Sequence, residues 1–403
     1  MKNIKKIAAL IMTMCMVVSL LSGCTSTAEG KALYDAMVKS QSIKSSQNDM
    51  QLTLRLDATG LSEEEQASFA QAKAMLNGAK ISMKMKQSAN ADNTIAKAQA
   101  GVNMFMAGMS IDMGVWVDMD LNGSSPRLKE IIKLPAIITA SDPSMAGMEY
   151  MVMDLSEMMK TPELTGQVPG ADYAETMKLT KELQEKTLAF MGKYLAQYDP
   201  GFKFITAAGT KDIIIPGRTI KAQAYQVKLD DKAAKKLIRY TVNNFANNKD
   251  AMAFAVDYIK LIEKFSASAP GVKSPTADFD KLMADYEKEK PAMLAEFNKA
   301  MDQIENIQIF GEKGITLEYA VDESGYIVSQ SGSIDFAIDV AKLNSIETLK
   351  DSKYVSAGIY NVGLDFSMLT YDINKDMTIE MPVVTPENSI NYSDMLKSEL
   401  PIQ

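Results

Sequence analysis

Histidine is absent from the 403 residues. Without it the commonest general base is missing, and with it the histidine-containing triads and most catalytic zinc or copper centres. Cysteine occurs only twice, at Cys15 and Cys24, and tryptophan once, at Trp116. The chain has no G-x-S-x-G elbow, no S-x-x-K pair, no G-x-x-x-x-G-K loop and no H-E-x-x-H helix, so the common hydrolase, phosphate-loop and zinc-protease signatures are missing. A two-carboxylate glycosidase needs no such motif. The evident acid pairs, Glu63/Glu64 and Glu287/Glu289, fall on polar helix faces and read as solvated charge. A non-enzymatic protein without cofactor or metal is the expectation. What the chain does have is a globular balance, 46% hydrophobic and 23% charged, which excludes bulk disorder and a multi-span membrane protein.

One long apolar run occurs, and it lies at the start. Lys2, Lys5 and Lys6 precede an almost unbroken apolar stretch over residues 7–21. A run of about fifteen residues is short for the ~20 a bilayer needs, and with its cationic flank it reads as an export signal. The exit Leu21-Ser22-Gly23-Cys24 resembles the lipobox of bacterial lipoproteins. That resemblance implies cleavage after residue 23, lipidation of Cys24, and a protein held at the outer face of the cell membrane by its acyl chains, palmitate among the candidates. Cys15 would leave with the signal, so no disulfide can form. The mature chain would carry 40 basic and 51 acidic residues, a net charge of −11, which disfavours nucleic acid as a partner.

Along the mature chain, residues 24–30 read as a polar tether and 31–403 as a single α+β domain with a helix-rich middle at 171–307. A short helix is predicted over 31–43 and a strand over 50–56, where Met50, Leu52, Leu54 and Leu56 alternate with polar residues. Ser62 to Glu65 has capping-box form and opens a helix to residue 76. Strands follow near 81–86 and 94–106 and over 111–121, where Ile111, Met113, Val115, Val117, Met119 and Leu121 keep a period of two that no helix holds on one face. Residues 127–134 read as a brief helix ended by Pro135 and 149–155 as a strand. Residues 161–170 read as a loop. Helices are expected over 171–198, 232–246, 250–265 and 276–307, the last kinked or divided at Pro291. Strands are expected at 203–215 and 219–229. Residues 266–275 read as a linker, 315–340 as a hairpin, 354–371 and 376–382 as the last strands, and 385–403 as a docked coil. With no sustained strand–helix alternation, a parallel doubly wound sheet and a two-lobed importer subunit are disfavoured. The expected fold is α+β: a curved antiparallel sheet, or half-barrel, wrapping helices, with a helical insertion in the middle of the chain and the two terminal groups of strands meeting in it.

The lipobox, the segment ALYDAMVKSQSIKSSQNDMQLTL, the strands GVWVDMDL and EYMVMDLSEM and the hairpin EYAVDESGYIVSQSGSIDFAI are similar to those of uncharacterised Firmicutes-type lipoproteins. Their layout resembles the LolA/LppX-like envelope proteins, which implies a half-barrel around a greasy cavity and a lipid or other hydrophobic ligand. Thirty methionines fit such a lining, because the unbranched thioether is deformable and suits varied acyl chains. Met83, Met85, Met113, Val115, Val117, Met119, Met151 and Met153 are the candidate ligand-binding residues. Thioether coordination of Cu(I) by Met104, Met106, Met109 and Met113 is a weaker alternative, as no cysteine or histidine completes it. Asp118, Asp120 and Asn122 match the first half of a calcium loop, but Lys129 stands where a bidentate acid is needed; an Asn-Gly hairpin explains the same residues. A structural or partner-binding envelope protein without a small-molecule ligand is the competing function.

Overall fold

The computed structural model describes residues 27–122, 127–141, 145, 147–154, 156, 173–267, 279–345 and 358–399. The signal segment, Cys24, the loop at 161–170 and most of the linker at 266–275 lie outside them. The elements run α1 (Ala28–Ser40), β1 (Ser45–Thr59), α2 (Glu63–Leu76), β2 (Lys80–Ala89), β3 (Ile95–Met106), β4 (Met109–Asp120), β5 (Arg127–Lys133), α3 (Ala136–Ser141) and β6 (Tyr150–Asp154). Next come α4 (Tyr173–Ala196), β7 (Ile205–Ile215), β8 (Arg218–Leu229), α5 (Asp231–Asn247), α6 (Lys249–Ala267) and α7 (Phe279–Gln303). The chain closes with β9 (Phe310–Asp322), β10 (Ile327–Asp339), α8 (Val340–Asn344), β11 (Ile359–Tyr371), β12 (Ser389–Asn391) and α9 (Tyr392–Glu399). No helix among the described residues is long and apolar enough to cross a membrane.

All twelve strands form one open sheet in the order β12-β6-β5-β4-β3-β2-β1-β11-β10-β9-β8-β7. Every neighbouring pair is antiparallel except β12 with β6. The fold class is α+β, as the periodicities imply. β1 pairs with β11 from Gln47 opposite Tyr371 to Thr59 opposite Ile359, so the N- and C-terminal strands meet in the centre of the sheet.

Although the opposite face buries Ala222, Ala320 and Val328 toward β7 and Ile131 and Val152 in β5 and β6, the register defines one main apolar face, because side chains alternate and directly opposed residues share a face. At one end it carries Ile205, Val227, Leu229, Leu317, Phe336 and Phe366, packed with Tyr194 and Leu195 of α4, with Tyr198 just past its end and with Leu237 of α5. Phe190 and Tyr194 stand at i and i+4, the spacing that keeps one helix face toward the sheet, and Tyr198 follows two residues past the helix end. Phe190 stacks on Phe254 of α6 with centroids 4.3 Å apart, and Tyr198 shares a short hydrogen bond with Thr241. α1 lays Leu33 and Ala36 against Ile327, Tyr319 and Val321.

Several segments depart from the periodicity. α1 begins at Ala28, inside the span read as a tether, because the Thr27 hydroxyl accepts the Gly30 N–H at 3.0 Å and caps the helix. Residues 127–133 form strand β5 where a helix was expected: pairing with β4 on one side and β6 on the other buries Ile131, and that tertiary pairing overrides local preference. Pro291 sits inside the unbroken helix α7 and does not divide it. The segment expected as a last strand at 376–382 is extended but unpaired. The last strand is β12, and the tail expected as coil holds β12 and α9. The Ser62–Glu65 capping box forms as read, each residue bonding the other's backbone N–H.

α5 is fastened to the start of β9 through Asp231. One carboxylate oxygen accepts the N–H groups of Ile309 and Phe310 at 2.8 and 2.9 Å, and the other accepts the buried Lys235 ammonium at 2.6 Å. Burial pushes the Asp231 carboxyl upward, but the bonds from Lys235, Phe310 and Ile309 outweigh it and hold the group below its ordinary value. Its stabilisation is complete above the unfolded carboxylate pKa, about 3.9, and is lost as pH falls through the lower folded value. Asp231→Ala leaves Lys235 and two amides short of a partner and is expected to cost about 2–4 kcal/mol at pH 7. The cost should shrink on acidification through the depressed pKa, as read by urea denaturation at both pH values. Equal stability of the variant and the parent at pH 7 would refute the assignment.

Candidate functional site

The eight candidate side chains come from three strands that are not adjacent, yet all stand on the apolar face. Met85 opposes Ala100, which opposes Val115, then Ile132 and Met151. One step along, Val117 opposes Glu130 and Glu130 opposes Met153. On the other side, Met83 and Met113 flank Val102, while Met119 lies between Ala96 and Leu128. All eight are half-buried. Residues the periodicity did not single out as binding residues share the surface, among them Met50, Val102, Met104, Leu128, Ile132 and Met368. Their period of two was visible; their neighbours were not, because strand partners are set by long-range pairing.

This face is continuous with the helix-packed core but meets a different environment. The principal helix contacts fall on β1 and on β6 to β11, whereas β2, β3, β4 and β5 make theirs with neighbouring strands. No side chain of β2 or β3 is buried, against Ile205 and Ile215 in β7 and Val227 and Leu229 in β8. At the helix end the space between sheet and helices is filled by large side chains. Toward β2–β6 the face stays accessible and rich in methionine, with Glu130 as a half-buried carboxylate in its midst.

Two small pockets are lined by other residues. One, of about 260 Å³, is lined by Ala89, Asn90, Ile95 and Ala96 and closed by Met377 and Ile379 of the segment that runs from β11 to β12. The other, of about 190 Å³, is lined by Arg55, Asp57, Glu312 and Asp335 beside Gly363. There Arg55 donates to Asp365 at 2.5 Å, to Ser333 at 3.0 Å and to Asp335. The guanidinium lies flat on Gly363, where an added Cβ would come within 2.5 Å of it. None of the eight candidates lines either pocket.

Among the described residues no group of three histidine, cysteine, aspartate or glutamate side chains is placed to hold a metal ion. Asp118 faces Lys97 at 3.9 Å and Arg127 at 3.5 Å, and Asp120 accepts the Asn122 N–H at 3.0 Å. These contacts engage Asp118 and Asp120 at the strand end, and the turn expected to follow, at 123–126, lies outside the described residues. Met106 opposes Met109 across the Ala107-Gly108 turn, where both residues take positive φ as a two-residue hairpin requires. Trp116 is on the opposite face, edge-on to Tyr150 and directly opposed to the buried Ile131. No protein-family model, no curated protein and no solved structure matches this chain.

The Arg55 cluster makes a titration prediction. The hydrogen bond from Arg55 holds the Asp365 carboxyl below the ordinary carboxylate range, against the opposing effect of burial. Asp365 is 39% exposed, so solvent screens the pair and no large stability term is attached to it. In Arg55→Gln the Asp365 resonance in carboxyl-carbon NMR is expected to titrate at higher pH than in the parent. An unmoved midpoint would show that Arg55 does not set it.

Proposed function

We propose that the protein is a membrane-anchored extracytoplasmic lipoprotein, held by acyl chains on Cys24, that binds a lipid or another apolar small molecule without catalysing a reaction on it. The observation that carries this reading is the placement of all eight candidates on one accessible, methionine-rich sheet face. Burial supplies the affinity: each methylene taken from water is worth about 0.8 kcal/mol, and thioether side chains re-pack around ligands of different shape at low cost. Glu130 is the one acid among the residues opposed to the candidates and would repel an anionic headgroup, so a neutral or cationic polar end fits better. The anchor follows similar arithmetic, since two or more chains are needed for stable attachment.

A second reading, a structural or partner-binding envelope protein, is favoured by the filled packing between the sheet and α4 to α6. The two differ in what co-purifies. Native mass spectrometry of residues 25–403 from a membrane-containing host should show a stoichiometric lipid-sized adduct that solvent extraction releases. A clean apo mass that ignores added lipid would favour the second reading.

Placing a carboxylate on the face by Met151→Asp or Met153→Asp should lower ligand uptake by about tenfold or more, because a buried charge next to an apolar ligand is costly. Unchanged uptake by folded variants, checked by circular dichroism, would remove these residues from the site. Cys24→Ala should abolish incorporation of labelled palmitate and release the chain from the membrane fraction. Labelled palmitate in that variant would refute the anchor.

A further inference from the structure

The strand register brings three methionines from distant parts of the chain side by side. Met50 of β1 is directly opposed by Met368 of β11 on one side and by Met83 of β2 on the other. Directly opposed residues share a face, with Cβ atoms roughly 4.5–5.5 Å apart. Three unbranched side chains, each with three rotatable bonds, can therefore meet in the space above the central one. All three are half-buried and accessible, so none is locked into a filled core. Met85, two residues beyond Met83 on the same face, stands at the rim as a fourth thioether.

The surroundings select the ion. The next row on one side is Phe366, Leu52 and Ile81, and on the other Thr370, Asn48 and Met85. No carboxylate, ammonium or guanidinium stands among these six, so nothing there neutralises a hard divalent cation. Desolvating a doubly charged ion over an apolar, uncharged surface is far costlier than desolvating a singly charged one, and thioether sulfur is a soft ligand that prefers soft monovalent copper. We propose that Met50, Met83 and Met368 form a thioether site for Cu(I). It differs from the grouping along 104–113 that the linear sequence offers, because its three ligands are contributed by three strands. It does not depend on the apolar-ligand reading, although both use the same face.

The test is an anaerobic titration of lipid-extracted protein against a Cu(I)–bicinchoninate complex. The parent is expected to withdraw about one equivalent of Cu(I), with X-ray absorption showing a first shell of sulfur alone. Met50→Leu, Met83→Leu and Met368→Leu keep side-chain volume, and each should weaken binding by about tenfold or more, the scale on which metal sites respond to lost partners. Met293→Leu, exposed on α7 and outside this face, should bind like the parent. Failure of the parent to withdraw Cu(I), or an equal loss in Met293→Leu, would overturn the site.

Discussion

Thirteen consecutive residue pairs between β1 and β11 join residues that are 300 to 324 positions apart in the chain. Because side chains alternate with a period of two, a slip of one residue in that ladder would turn every apolar side chain of β1 to the polar face. Arg55 marks the correct register from the polar side, since its guanidinium reaches Asp365 on β11 and Asp335 on β10 at once. The hairpins on either side inherit their faces from this junction: β2 to β6 from β1, and β10 to β7 from β11.

The main apolar face has two fates. At the β7 end, aromatic residues of α4 to α6 fill the space above it, and the close packing that stabilises a core leaves no room for a ligand. At the β6 end the same face is lined by methionine, alanine and valine and remains half-buried. Methionine suits such a surface because its flexible stem packs against variable neighbours without requiring one fixed partner. The opposite face is organised differently, by ion pairs and by local apolar contacts, among them Trp116 lying over Gly114, where an added Cβ would come within 2.6 Å of its ring. Function, on the reading proposed above, divides along the same line as packing: the filled half holds the fold, and the open half meets apolar or soft partners.

Local physics was legible in the linear chain wherever the determinants lie within a few residues. The capping box at Ser62 and Glu65, the Pro216-Gly217 turn, the alternation from Ile111 to Leu121 and the helix-rich middle needed no tertiary information. Segment 127–133 was not legible, because Ile131 and Ile132 suit a short helix and a strand alike and only the flanking strands β4 and β6 decide between them. The end of the chain was misread for a related reason: β12 is three residues long and exists through its pairing with β6, a contact with a distant segment.

The sequence by itself determined most of the elements, the alternation that makes one side of most strands apolar, and the lack of histidine, since these depend on residue chemistry and short-range periodicity. Only the tertiary structure decided which strands are neighbours. It set Met85, Val115 and Met151 in one cross-strand row and put Met368 beside Met50 and Met83, because strand pairing is a choice among distant segments that no local pattern encodes.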